Sequence, residues 1–285
     1  MAGRLVPIGD TRLSVEERGR GLALFVLHGG PGLDHHMFGD YLDPLSDRFR
    51  LIFVDQRSQG RSEPTSPETW SLSQMAADVG ALAAALGLER FAVLGHSFGA
   101  FVALQHAVDF PGEAARTIVS SGLPSARYLA QVDAHLAAFD PESMRAQVAA
   151  SWDRESTART AEDVVSLLHD QMPFHFADPL DPRIADYERR TGGGLPSPDV
   201  LRHFARQEYG GIEVEERLGR VQQPVLVLAG AHDRVCSLLA ARAIASGVID
   251  GELVVFEQSG HMTFVEETER YLETVASFLL GESKP

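Results

Sequence analysis

The stretch from Phe91 to Phe101, FAVLGHSFGAF, constrains the fold of this chain more than any other part of its sequence. It begins with a short apolar run typical of a buried strand and continues with apolar residues at helical spacing up to Pro111. Between them lies the pattern GxSxG, Gly95 to Gly99, where the chain must turn sharply. Glycine is needed on both sides because a Cβ there would collide with the neighbouring strand or helix. The pattern predicts that the Ser97 hydroxyl projects from the carboxyl end of a strand; the alternative is an ordinary glycine-rich turn.

Short apolar runs alternate with helical stretches on both sides of this turn. The runs read as strands at 22–27, 51–54, 91–94, 117–120, 224–229 and 253–256, with an edge strand at 12–17. The clearest helices are predicted at 72–86, capped by Ser71, and at 268–280. This alternation predicts an α/β fold with a mostly parallel central sheet flanked by helices.

The alternation stops between about residues 125 and 215. Helices are expected there at 128–139, 144–152, 161–169 after a Thr160 cap, and from Ser197 to about 207, with a proline-containing loop at 172–182. We therefore predict a core domain of residues 1–124 and 216–285 and an inserted helical cap of residues 125–215, called the lid below.

Composition limits the class of partner. The net charge is −15 over 285 residues and is spread along the chain, which argues against binding to nucleic acid. A single cysteine, no recognisable signal peptide and no apolar run of membrane-spanning length predict a soluble, cytoplasmic protein that does not bind membranes. A small-molecule or short-peptide substrate is expected, and the oligomeric state is left open.

A serine nucleophile needs a base, and the base needs a group that orients it. His261 follows the strand at 253–256, and Asp233 follows the strand at 224–229. Each residue alone has another interpretation, Asp233 as a helix cap and His261 as a surface residue. The order Ser97, Asp233, His261 is nevertheless the one expected for this turn, so we predict that the three form a catalytic triad.

Acyl transfer also needs donors for the oxyanion. The backbone N–H of Phe98 is one candidate, and Gly30 in the loop HGGPG, residues 28–32, is the other. Gly29 and Phe98 are expected to contact the substrate as well. His28 is expected to brace the loop rather than to transfer protons. His35 and His36 are interpreted as surface residues, and no metal or other cofactor is predicted.

These features together resemble the α/β-hydrolase fold over nearly the whole chain. Within that fold, HGGPG combined with Asp55-Gln56-Arg57 and Gly60-Arg61-Ser62 resembles the proline iminopeptidases. The resemblance implies release of amino-terminal proline from peptides, with acidic lid residues binding the substrate's ammonium group. The segment 204–209 is similar to the lid segment that supplies one such glutamate, which implies this role for Glu208. The chain departs from the family pattern at two positions, with Phe98 in place of the usual tryptophan and Ser58 in place of the usual glycine.

Two other classes of function stay open. A carboxylesterase, lactonase or carbon–carbon hydrolase would need an apolar pocket under the lid, which Phe139, Trp152, Phe174 and Phe176 could supply. A ligand-binding protein without turnover is less consistent with an intact triad and oxyanion loop. A haloalkane or epoxide hydrolase needs a carboxylate nucleophile where Ser97 stands, and the sequence excludes that role.

Overall fold

The structure is a computed structural model that describes residues 3–282. Its strands, in chain order, are β1 (Arg4–Pro7), β2 (Arg12–Arg18), β3 (Leu22–Leu27), β4 (Phe49–Asp55), β5 (Phe91–His96), β6 (Arg116–Ser120), β7 (Val225–Gly230) and β8 (Gly251–Phe256). Its helices are α1 (Leu72–Ala85), α2 (Phe98–Asp109), α3 (Ala130–Ala137), α4 (Glu142–Glu155), α5 (Ala161–His175), α6 (Arg183–Arg190), α7 (Pro198–Ala205), the short α8 (Glu208–Gly211), α9 (Leu238–Gly247), α10 (Thr263–Glu266) and α11 (Thr268–Leu280).

The strands form one sheet in the order β1-β2-β4-β3-β5-β6-β7-β8. The six strands β4, β3, β5, β6, β7 and β8 pair with their neighbours in parallel. The two pairs that β2 makes, with β1 and with β4, are antiparallel. The mostly parallel sheet is therefore confirmed. The prediction that residues 12–17 form an edge strand is wrong, because β2 lies between β4 and β1, and β1 is the edge.

Both faces of the sheet are covered, which explains why its strands are continuously apolar. On β3, Phe25 and Leu27 contribute to one core together with α1, α2 and α9. The alternate residues Leu24 and Val26 contribute to the other core together with α11. Within residues 3–282, no helix is long and apolar enough to cross a membrane.

The lid helices α3 to α8 lie between β6 and β7 in the chain. The two ends of this segment meet, because Ser125 and Glu213 form a β-bridge and the Ala126 N–H donates to the Ile212 carbonyl at 2.7 Å. The chain therefore leaves and re-enters the core at one place. The division into a core and a separate cap at residues 125 and 215 remains a prediction.

Two lid elements differ from expectation. Helix α5 begins at the predicted Thr160 cap but continues through Pro173 to His175, so the first part of the predicted loop at 172–182 is helical. The burial of Met172 and Phe174 offsets the loss of the backbone hydrogen bond that Pro173 cannot donate. Helix α6 was not predicted, because Tyr187 is the one buried residue in an otherwise polar sequence without apolar periodicity.

Candidate active site

The turn between β5 and α2 is as tight as its glycines predict. Ser97 has φ 55° and ψ −119°, a backbone conformation that side chains rarely adopt. A Cβ on Gly95 would lie 2.0 Å from the Gly99 carbonyl oxygen, and a Cβ on Gly99 would lie 2.2 Å from the Leu27 carbonyl oxygen. No larger residue fits at either position without moving the backbone. Ser97 is therefore held at the carboxyl edge of the sheet, at the amino terminus of α2.

His261 and Asp233 lie at the same edge, after β8 and β7. His261 Nδ1 is 2.9 Å from Asp233 Oδ2, and both side chains are buried. The other carboxylate oxygen, Oδ1, accepts from the backbone N–H groups of Val235 and Cys236, each at 2.8 Å. Burial raises the pKa of Asp233, but the charge and hydrogen bond of His261 and the two N–H groups outweigh it, so the pKa lies below its usual value. An ionised Asp233 fixes the proton of His261 on Nδ1.

Ser97 and His261 line one cavity of about 700 Å³, together with Gly30 and Phe98. The His96 ring, directly before the serine, has its centroid 5.0 Å from that of His261. Within residues 3–282 no hydrogen bond joins the Ser97 and His261 side chains, and in unliganded sites such bonds often tighten only with substrate. The structure thus brings the three predicted triad residues to one edge of the sheet, and two of them into one cavity.

The His28 side chain supports the HGGPG loop through hydrogen bonds. This imidazole is fully buried; its Nδ1 donates to the Gly29 carbonyl at 2.8 Å, and its Nε2 accepts from the Gln56 N–H at 3.1 Å. Burial lowers the pKa of His28, so the ring is a neutral support. Gly29 lies beside Ser97, because a Cβ on Gly29 would be 3.1 Å from Ser97 Cβ.

The predicted oxyanion donors, Gly30 and Phe98, both face the cavity. Phe98 is the first residue of α2, so its N–H has no acceptor within the helix. Gly30 has φ 112°, a conformation that favours glycine. Both residues therefore line the cavity that also contains Ser97.

Ser58, one of the two departures from the family pattern, has φ 62°. This left-handed conformation favours the glycine that relatives of this type usually have there. The Ser58 hydroxyl accepts from the Thr65 N–H at 2.8 Å and from Trp70 Nε1 at 2.9 Å. These hydrogen bonds stabilise the turn and offset part of the backbone strain.

The interpretation of His35 as a surface residue is wrong. His35 is 4% exposed, and its Nδ1 lies 2.5 Å from Asp55 Oδ1. Burial raises the pKa of Asp55, but His35 outweighs it and lowers the value to about 2. Burial disfavours a charged His35, but Asp55 outweighs this and raises the pKa of the imidazole. His36 is half-buried. The His35–Asp55 pair supports the loop after β4, because Asp55 Oδ2 also accepts from the Arg61 N–H at 2.9 Å.

One group of residues brings metal-ligand atoms close together. Oxygen, sulfur and nitrogen atoms of Asp233, Cys236 and His261 lie within 4.8 Å of one another. These side chains do not suit a metal ion, because Asp233 and His261 already bond each other and burial raises the pKa of the Cys236 thiol well above its usual value. The thiolate that metal ligation requires is therefore disfavoured.

The lid contributes four acidic residues to the cavity, Asp133, Asp153, Glu155 and Glu208, and sequence reasoning found one of them, Glu208. Glu208 is exposed at the cavity, and it and Tyr209 have φ of 50° and 54°. Glu155 was missed; it is 5% exposed and accepts from the Tyr209 hydroxyl at 2.5 Å and from Gln171 Nε2 at 2.7 Å. Burial raises its pKa, against these hydrogen bonds, which lower it. The available signal was its spacing from Val148 and Ser151 on the buried face of α4.

The aromatic residues proposed for an acyl pocket are not brought together at the cavity. Trp152 lines it, whereas Phe139 and Phe174 pack behind Trp152 in a separate cluster. Phe176 belongs to the core on the α11 face of the sheet. Phe98, Phe101 and Trp152 are aromatic residues of the cavity wall, and most of its apolar part comes from aliphatic and Met side chains of the core and the lid, among them Leu33, Met37, Leu129, Leu136, Leu167 and Met172.

This chain is similar to known proteins over nearly its whole length. The proline iminopeptidase of Clostridium botulinum is 28% identical to this chain, with 94% of this chain and 93% of that protein covered. The crystal structure of the Mycobacterium smegmatis proline iminopeptidase superposes with a TM-score of 0.75 at 26% identity and covers 98% of each chain. The esterase of Exiguobacterium antarcticum shares the fold, with a TM-score of 0.76 at 23% identity over 97% of this chain and 98% of its own. The sequence model of the alpha/beta hydrolase fold matches residues 23–268. This chain therefore belongs to the α/β-hydrolase fold family.

Proposed function

We propose that this chain is a serine hydrolase. Ser97 Oγ attacks the substrate carbonyl carbon while His261 Nε2 takes the hydroxyl proton, and Asp233 stabilises the resulting imidazolium. The N–H groups of Phe98 and Gly30 receive the oxyanion. The intermediate collapses as the leaving group takes the proton from His261, and water then hydrolyses the acyl-enzyme by the same steps. The support is the Nδ1–Oδ2 contact of 2.9 Å and the shared cavity of Ser97 and His261.

We further propose that the substrate is a peptide from which amino-terminal proline is released. The observation that carries this proposal is Glu155, a buried carboxylate at the cavity that contains Ser97. A substrate ammonium that enters a closed site loses hydration and requires such a partner. Glu208, Asp133 and Asp153 are further acidic residues at the same cavity. The names of the curated relatives support the same substrate class.

A carboxylesterase is the second candidate. It is favoured by the aliphatic part of the cavity wall, which suits a neutral acyl chain, and by Phe98 in place of the tryptophan usual in the peptidases. Both candidates use the same triad and oxyanion donors. They differ in whether the lid carboxylates bind the substrate.

The deciding experiment compares prolyl and alanyl p-nitroanilides with a panel of aryl esters, for the wild type, Glu155→Gln and Glu208→Gln. Removal of one partner from a buried ion pair costs about 3–5 kcal/mol, so Glu155→Gln should lower kcat/KM for the prolyl anilide several-hundred-fold. Glu208 is exposed, and the effect of Glu208→Gln should be only about tenfold because water screens the charge. Ester hydrolysis should change less than threefold in both variants.

Glu142→Gln is the matched control, because Glu142 is an exposed lid glutamate that does not line this cavity. Equal losses on ester and anilide would assign Glu155 a structural role. Rapid ester turnover with negligible proline release by the wild type would favour the carboxylesterase.

A further inference from the structure

A short lid segment, residues 174–177, is bonded directly to the loops that carry Asp233 and His261. The His261 N–H donates to the His175 carbonyl at 2.6 Å. Arg234, next to Asp233, donates to the Phe176 carbonyl at 2.6 Å and to the Ala177 carbonyl at 3.1 Å. The end of α5 is thus fixed to this edge of the sheet by the His261 N–H and the Arg234 guanidinium, which donate to lid carbonyls.

Glu266 lies at the centre of this junction. Its Oε1 accepts from the lid N–H of Ala177 at 2.7 Å, and its Oε2 accepts from the N–H of Gly260 at 2.8 Å. The side chain is 7% exposed. One carboxylate therefore joins the lid to the residue that directly precedes His261.

Gly260 packs tightly against the lid segment. A Cβ on Gly260 would lie 2.5 Å from the His175 carbonyl oxygen and 2.7 Å from the Ala177 nitrogen. The loop and the lid segment can move only together. The backbone position of His261 consequently depends on the bonds that hold this segment.

We propose that Glu266 is a positioning residue, which fixes the imidazole of His261 for proton transfer with Ser97 by tying its loop to lid residues 175–177. This inference rests on the proposed role of His261 as the base. A displacement of about 1 Å in a catalytic group can cost about a hundredfold in rate, so such a tie has a measurable effect.

The charge state of Glu266 provides a specific readout. An ionised carboxylate accepts from both N–H groups, whereas a protonated one turns its hydroxyl donor toward one of them and loses that bond. Burial raises the pKa of Glu266 to about 7, against the N–H groups of Ala177 and Gly260. The charged groups that face it are Arg183, Asp181 and Arg234. Protonation of Glu266 should therefore lower activity in acid, in addition to the protonation of the base that the serine mechanism requires.

The test measures kcat and KM for an aryl ester from pH 5 to 9 in the wild type, Glu266→Gln and the control Glu269→Gln, an exposed glutamate of α11. Glu266→Gln should lower kcat roughly tenfold to hundredfold with KM within about threefold. The steepest slope of log kcat against pH on the acid side should exceed one in the wild type and Glu269→Gln, and should not exceed one in Glu266→Gln.

An unchanged kcat, or a raised KM with kcat retained, would overturn the positioning role. A wild-type slope of one would overturn it as well, and that measurement needs no variant that might fold poorly. Ser97→Ala separates this inference from the proposed function. If Ser97→Ala remains active, the serine mechanism fails; if it is inactive while Glu266→Gln behaves like its control, only the present inference fails.

Discussion

Each carboxylate oxygen of Asp233 has a fixed partner. Oδ1 accepts from two backbone N–H groups, and Oδ2 faces His261 Nδ1. In Asp233→Asn the amide oxygen should continue to accept from the two backbone N–H groups. The opposite orientation would place the amide NH₂, a hydrogen-bond donor, against these two donors. The NH₂ then faces His261 and favours the wrong tautomer. We expect kcat for an aryl ester to fall about 10⁴-fold while the fold is retained.

Asp250→Asn, a change at an exposed aspartate after α9, is the control for this variant. Thermal unfolding of both variants establishes that the fold is retained. Activity of Asp233→Asn within tenfold of the wild type would mean that another carboxylate orients His261.

The predictability of single residues follows from where their partners lie in the chain. The placement of Ser97, Asp233 and His261 at one edge was predictable, because each lies within five residues of the end of a strand and parallel strands end at one edge. Glu155 and Glu266 were not, because Tyr209 and Ala177, which bond them, come from distant elements without a visible pattern. Such partnerships exist only after the chain has folded.

At the scale of elements, the turn from β5 to α2 depends strongly on glycine. Gly99→Ala would place a Cβ 2.2 Å from the Leu27 carbonyl oxygen, a backbone atom that cannot rotate away. We expect the free energy of unfolding to fall by more than about 3 kcal/mol, as measured in urea. Gly219→Ala, where no atom lies within 4 Å of the added Cβ, should change it by less than about 1 kcal/mol. Similar losses in the two variants would contradict the steric account.

Elements were predictable where local pattern and tertiary burial agree. Strand β3 and helix α11 match their predicted bounds, because apolar periodicity marks them fully. Strand β2 alternates like an edge strand, yet β1 covers it, and that four-residue strand buries only Val6. The pairing of β1 with β2 depends on backbone hydrogen bonds, which the pattern of apolar and polar side chains does not reveal.

At the scale of the whole molecule, the lid helps to support the loops that follow β3, β4 and β8. Segment 174–177 holds the His261 loop. On the other side, the Ser197 N–H donates to the Gly32 carbonyl at 2.8 Å, and Ser197 Oγ accepts from the Gly60 N–H at 3.3 Å. Ser197 is the N-cap residue of α7, but its side chain bonds to the loop after β4 and not to the helix backbone. The lid segments that carry these bonds should move little during turnover.

The same junction sets a pH dependence for the stability of the whole protein. The pKa of Glu266 is raised from an ordinary value of 4.5 to about 7, so the folded protein binds a proton there that the unfolded chain releases. Stability therefore falls as the pH rises between these two values and is level beyond them, because the unfolded state binds fewer protons in that window. Glu266→Gln removes this titration. The free energy of unfolding of the wild type minus that of Glu266→Gln should decrease by about 2–3 kcal/mol from pH 4.5 to pH 8. Urea unfolding of both proteins across this range measures the difference, and a constant difference would show that burial does not shift this carboxyl group.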